Sequence, residues 1–223
     1  MPKILSALKP DLSLAGHQPS RTSALKNKKS SSQPLTLKRL DDLGKRIRIC
    51  VKCLLHESRN LAVPGEGKAT ARFMVIGEAP GKQEDEAGRP FIGNAGRYLD
   101  HVLEGTELER SDFFITNIVK CRPPSNRTPK TIEIETCTSL YLFEQIKLLN
   151  PKLILLLGSM AVKTMLGCKS VEEARGRIIN HDGRIYLASY HPAARFYRED
   201  LAQKIKEDFF LLKTALLKIT GGR

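Results

Sequence analysis

Four short apolar runs punctuate the chain: Phe73–Ile76, Phe113–Val119, Leu153–Leu157 and Ile185–Ser189. None contains a charged residue. Runs of this length and continuity predict strands buried on both faces. Between them lie stretches with helical spacing, Ala95–Leu103, Ile132–Leu149 and Met160–Leu166, and a last amphipathic one over about Leu201–Leu217. Upstream, Leu37, Leu40, Leu43 and Ile47 share one helical face. Strand–helix alternation of this kind predicts an α/β fold: three layers, α/β/α, around a four-stranded, mainly parallel sheet. There is no internal repeat. The pattern divides the chain into a tail, 1–36, and one folded domain, 37–223.

Each predicted strand runs into unusual residues. The first ends in Gly77-Glu78-Ala79-Pro80-Gly81, and the second carries Asn117 and leads to Cys121. The third ends in Gly158-Ser159 and the fourth in His191-Pro192. Open parallel sheets bind ligands outside the carboxyl ends of their strands. Four such ends would build one cleft from segments more than a hundred residues apart.

Charge adds a direction. Among 223 residues, 37 Lys+Arg stand against 24 Asp+Glu, a net of +13, which points to a polyanionic partner. Residues 1–40 hold eight Lys/Arg and one Asp, a net of +7. This tail is rich in Ser and Lys and has no aromatic residue, so disorder is expected. A solubilising tail, a non-specific nucleic-acid arm and an organelle transit peptide all fit it. No apolar run approaches the length of a membrane span. Lys3, Lys9 and Asp11 interrupt the N-terminal apolar residues, so no secretory core is present there. A soluble, intracellular protein is expected, in the cytoplasm or nucleoid.

Five cysteines without an export signal suit a reducing compartment. Cys50 and Cys53 form a C-x2-C pair, and Cys121 and Cys137 stand far downstream. Four thiolates can hold zinc or a four-iron cluster, and spacing alone does not choose. In a third reading only the first pair binds metal and the second pair is core. Cys168 reads as a small buried hydrophobe. The segment Gly77–Gly96 holds five glycines in twenty residues, so it turns tightly, yet it matches neither a P-loop nor G-x-G-x-x-G. Phe91 within it is either core or a stacking face for a planar ligand. Glu78 at a strand end is an unusual filler, because carboxylates are seldom buried without a role.

Together these residues resemble the fourth family of uracil-DNA glycosylases, the iron–sulfur type of archaea and thermophilic bacteria. The likeness runs from about Leu37 to Leu217. It includes Cys50-x2-Cys53, Val63-Pro-Gly-Glu-Gly67, Gly77-Glu-Ala-Pro-Gly81, Glu84-Asp85 and Gly88-Arg-Pro-Phe91. It continues through Thr116-Asn117-x-Val-Lys-Cys121-Arg-Pro-Pro124, Asn126-Arg127, Cys137 and His191-Pro-Ala-Ala194.

The resemblance implies a monofunctional enzyme that hydrolyses the N-glycosidic bond of uracil in single- or double-stranded DNA and leaves an abasic site. It implies a structural [4Fe–4S] cluster on Cys50, Cys53, Cys121 and Cys137. Glu78 and His191 would be catalytic: Glu78 positions water, and His191 hydrogen-bonds uracil O2 as charge develops. Phe91 would stack on the base and Asn117 would read its edge. Gly77 belongs to the same motif. Glu84 would stand against the methyl of thymine, although a solvated loop charge explains it too. Ser159 would offer a phosphate site at a helix start, or simply cap the helix. After His191-Pro-Ala-Ala194 relatives carry aliphatic residues, whereas this chain reads Arg195-Phe196-Tyr197-Arg198. That departure makes Arg195 and Phe196 the candidates for a wedge into the base stack. Gln203-Lys-Ile-Lys-Glu-Asp-Phe209-Phe210 resembles a sliding-clamp peptide with Lys206 out of pattern; a core-packing helix is the alternative. A monomer is expected. The rival function is a non-catalytic, zinc-stabilised nucleic-acid-binding protein.

Overall fold

A computed structural model describes residues 33–220. The expected tail therefore lies outside the described residues, apart from its last four positions. Those belong to α1, Gln33–Arg48, which starts earlier than the sequence pattern placed it. Leu43 and Ile47 of α1 are buried, while Leu37 is exposed, so only the later half of the helix packs.

The sheet is built from β1, Phe73–Gly77, β2, Phe113–Asn117, and β3, Leu153–Leu157. It is completed by β4, Ile179–His181, and β5, Arg184–Ser189. The order is β2-β1-β3-β5-β4. Pairings among β2, β1, β3 and β5 are parallel, and β4 runs antiparallel to β5. Every residue of β1, β2 and β3 is buried, as strands covered on both faces require.

The sheet thus has five strands instead of the expected four. β4 escaped because it is three residues long and largely exposed, with no apolar run to mark it. Its signal was a turn: Asp182 and Gly183 both take positive φ, 47° and 71°, the pattern of a tight two-residue hairpin.

The helices follow the predicted periods with one break. α2, Leu55–Ser58, and α3, Lys82–Ala87, are short. α4 spans Asn94–Glu104. The single helix expected over 132–149 divides into α5, Thr131–Cys137, a π turn at Thr138–Leu142, and α6, Phe143–Leu149. A π turn inserts one residue and rotates what precedes it, and Cys137 stands at that junction. α7, Ser159–Leu166, follows β3. α8, Asp200–Thr220, packs on β5 and α4, burying Leu201, Ile205, Phe209 and Leu212. Phe209 is in the core and only Phe210 is exposed, which fits the packing-helix alternative for this segment. No described helix is long and apolar enough to cross a membrane.

The register places the site. Gly77 of β1 pairs with Asn117 of β2, and Leu157 of β3 pairs with Ser189 of β5. The chain leaves β1 toward β2 on one side, and β3 lies on the other. The carboxyl ends around β1 are therefore a topological switch point, where a crevice opens.

Candidate active site

Glu78, Glu84, Phe91, Asn117 and His191 line one cleft of about 360 Å³ at this edge, joined by Tyr197. Three of the four expected strand ends, those of β1, β2 and β5, contribute to it; the Gly158-Ser159 end of β3 does not line it.

Phe91 occupies the floor under strain. It is buried with φ 49°, a left-handed conformation that a large side chain adopts only when its surroundings hold it. Three features do so. Arg110 donates from Nη1 to the Phe91 carbonyl at 3.0 Å and from Nη2 to the Pro90 carbonyl, and it pairs with Asp100 at 3.2 Å. Gly96 lies so close that an added Cβ would fall 1.8 Å from the Phe91 carbonyl oxygen. Glu84 accepts from the Ile92 and Gly93 peptide N–H groups at 2.9 and 2.8 Å, and from Gly81 N–H at 3.1 Å. Glu84 Oε1 is thus committed to the backbone of the loop that carries Phe91 and Oε2 to the start of α3, so Glu84 holds the site's shape as well as lining it.

Gly77 does not line the cleft but makes it possible. A Cβ there would meet Asn117 Oδ1 and Phe91 Cζ, each at 2.5 Å. The Asn117 side chain is buried, and its Oδ1 has no hydrogen-bond partner. A buried amide oxygen left without a partner costs on the order of 1–3 kcal/mol, and this one, lining the cleft, can accept from a donor placed there.

The His191 ring sits 5.6 Å from the Phe91 ring, tilted by 30°. Burial lowers its pKa to about 4, partly opposed by the Glu84 charge, so the imidazole is neutral at physiological pH. Its Nδ1 accepts from the Ala193 peptide N–H at 3.2 Å. An accepting Nδ1 leaves the proton on Nε2, which makes Nε2 a donor. Glu78, half-buried, has its carboxyl raised above the usual range by desolvation. Among the described residues no side chain pairs with that carboxyl.

Three expected site residues, Ser159, Arg195 and Phe196, lie elsewhere. Ser159 is exposed at the first turn of α7, outside the cleft, and its hydroxyl caps nothing. Arg195 sits over the Tyr98 ring at 4.2 Å and over the Phe196 ring at 5.1 Å. That stack faces a separate depression against α4. Tyr197, which sequence reasoning passed over, stands at the cleft and is 88% exposed. Arg110 was missed too; a lone arginine on a loop carries no sequence signal.

The four cysteines gather around a second, smaller cavity with Arg59, Lys120 and Tyr141. Cys168 lies apart, part-buried. Burial pushes the Cys137 thiol up to about 12 and raises Cys53 and Cys121. Against that, N–H donors already face the sulfurs: Arg59 Nη1 to Cys121 Sγ at 3.1 Å, Lys120 N to Cys137 Sγ at 3.3 Å and Lys52 N to Cys50 Sγ at 3.5 Å. Arg59 also donates to the Cys50 carbonyl at 2.7 Å. Among the described residues, no three His, Cys, Asp or Glu side chains converge tightly enough for a single metal ion.

Comparison with known proteins decides the lineage. The sequence pattern of the uracil DNA glycosylase superfamily matches residues 64–212. The type-4 uracil-DNA glycosylase of Pyrobaculum aerophilum is 41% identical over 180 residues, 76% of this chain and 90% of that protein. The chain belongs to the type-4 uracil-DNA glycosylase family. The type-4 enzyme of Thermotoga maritima is 35% identical over 184 residues, 80% of this chain and 95% of its own length. A type-5 uracil-DNA glycosylase of Pyrobaculum aerophilum is more distant, 32% identical over 149 residues. The glycosylase match begins at Pro64, just past the C-x2-C pair, and ends within α8.

Proposed function

We propose that this protein excises uracil from DNA, hydrolysing the N-glycosidic bond and leaving an abasic site that initiates base excision repair. The observation that carries the reading is the unpartnered Asn117 Oδ1, buried between Gly77 and the Phe91 ring in a cleft that also holds a neutral histidine.

A base within the duplex is out of reach, so its nucleotide must turn outward, which costs a few kcal/mol of unstacking. The Phe91 ring offers a stacking surface, and stacking returns roughly 1–3 kcal/mol. The Asn117 amide oxygen accepts uracil N3–H, and its NH2 donates to O4. Cytosine presents an acceptor where uracil has N3–H, so it leaves Oδ1 unpaired. That mismatch excludes cytosine more strongly than lost contact area would.

Cleavage sends the C1′–N1 electron pair into the base. The sugar becomes oxocarbenium-like, and uracil leaves as an anion with charge on O2. The Nε2–H of His191 donates to that oxygen, and a preorganised donor of this kind supplies about 3–4 kcal/mol. Being neutral, it stabilises the anion without first protonating the substrate. Glu78 offsets the positive sugar and orients the water that bonds to C1′; the water's proton is released as the abasic hydroxyl forms. Glu84 keeps the Phe91 loop against the base, at the position where thymine would carry its methyl.

Tyr197 serves as the wedge. Arg195 and Phe196 are engaged around Tyr98, whereas Tyr197 is solvent-exposed at the mouth of the cleft. The exposed first turn of α7, with Ser159, suits a DNA phosphate.

Cys50, Cys53, Cys121 and Cys137 hold a [4Fe–4S] cluster. The fit rests on the chemistry of the donor set: four cysteines around one cavity, three of whose sulfurs face an N–H donor. The cluster supplies a covalent tie between the segment after α1 and α5, and no step of the hydrolysis runs through it.

Oligonucleotides carrying a single uracil, thymine, hypoxanthine or cytosine, treated with protein and then alkali, test the activity. Strand breakage at uracil and none at cytosine or thymine is expected. Intact uracil strands at high protein concentration would refute it.

A further inference from the structure

We propose that Lys120 is a positioning residue joining the two centres: its ammonium offsets the negative charge of the cysteine-bound cluster, and its hydrogen bonds fix the backbone of Asn117. This rests on the iron–sulfur reading of the four cysteines.

Lys120 is 1% exposed, the second-largest side chain buried so completely. Its Nζ donates to Thr116 Oγ1 at 2.6 Å, to the Asn117 carbonyl at 2.7 Å and to Gln145 Oε1 at 2.8 Å. All three donors of the ammonium are used, and every acceptor is neutral. Among the described residues no carboxylate lies within ion-pair distance of Nζ. A buried cation so placed carries a large desolvation cost unless an anion is near. The candidates are sulfurs: Lys120 lines the cysteine cavity, follows Val119 directly into Cys121, and donates its own peptide N–H to Cys137 Sγ at 3.3 Å. Thiolates bound to a cluster would supply the missing negative charge.

The other face of the network reaches the base reader. Holding the Asn117 carbonyl fixes the peptide behind its side chain and leaves Oδ1 free for the ligand. Thr116 Oγ1 and Gln145 Nε2 both donate to the Pro64 carbonyl, at 3.1 and 2.6 Å, so the network is anchored on the segment beside β2 as well. One residue thereby contacts a cluster ligand through its backbone and the base-reading strand through its side chain.

Lys120→Met keeps the length of the side chain and removes its charge and donors. Outer-shell partners are commonly worth 10–100-fold in metal affinity, so iron release to a chelator should be about tenfold faster. The cluster's midpoint potential should move to more negative values, because a nearby positive charge favours the reduced state. A folded variant with wild-type release and potential would overturn the proposal. Should the variant fail to fold, hydrogen exchange on the wild-type protein decides, comparing the loaded form with one stripped of iron. Peptides covering 115–120 and 62–67 should lose protection together with 50–59. Loss confined to 50–59 and 131–137 would overturn the coupling. A wild-type protein isolated without iron would instead overturn the cluster reading itself, a distinct failure.

Discussion

Burial and one backbone hydrogen bond set the proton of His191. In the unfolded chain such a histidine titrates near 6.5, and in the fold near 4. Between those values the unfolded chain binds the extra proton, so stability is complete above about pH 6.5 and declines as the pH falls toward 4. Replacing His191 with Asn should flatten that acid limb in urea denaturation measured from pH 7 to 4.5; equal slopes in both proteins would count against the assignment. The same residue is the proposed donor to the departing anion. His191→Ala should slow excision by roughly 10²-fold or more with DNA binding little changed, as expected for an interaction made chiefly in the transition state. A wild-type single-turnover rate would remove His191 from the site. Gly77 shows the complementary logic, where the absence of an atom is the function: any Cβ would occupy the space between Asn117 and Phe91.

At the scale of elements, strands deliver the chemistry and loops aim it. β1 and β2 end in register at Gly77 and Asn117, so Glu78 and Asn117 are adjacent by sheet geometry alone. Phe91 and His191 depend on loops, and each is tied by hydrogen bonds: Arg110 donates to the Phe91 carbonyl, Glu84 accepts from the Ile92 N–H, and the Ala193 N–H donates to His191 Nδ1. The turn after His191 also presents Tyr197. A wedge matters where a complementary strand and a base stack must be displaced. Tyr197→Ala should therefore lower excision from a duplex about tenfold and leave single-stranded uracil nearly untouched, read by comparing the two substrates side by side. Equal losses on both would place Tyr197 against the flipped base itself, not in the stack.

Across the whole molecule, charge is unevenly divided. Residues 1–32 hold six Lys/Arg and one Asp, a net of +5 out of +13. Phosphate neutralisation releases counterions, so affinity depends on salt in proportion to the contacts made. Removing residues 1–32 should weaken DNA binding and make its salt dependence shallower, while the choice of uracil over other bases stays the same. An unchanged salt slope would assign the tail another role. In the proposed mechanism base choice is insulated from the tail because it is made at the switch point of the sheet. Around that point the cysteine cavity, Lys120 and Asn117 follow one another along a few residues of chain.

The apolar runs by themselves determined β1, β2, β3 and β5, because a strand buried on both faces must be continuously apolar, and motif order determined the family. They could not mark β4, whose edge position asks for no apolar run, nor the π turn that divides the helix over 132–149, since one inserted residue barely alters a helical period. Glu78, Asn117 and His191 were legible because polar residues at the ends of buried strands stand out. Arg110, Arg59 and the exposed Tyr197 were not. Their roles depend on which loop or sulfur lies within about 3 Å, or on which of three neighbouring side chains faces outward. Those are facts of distance and direction, and only the folded chain fixes them.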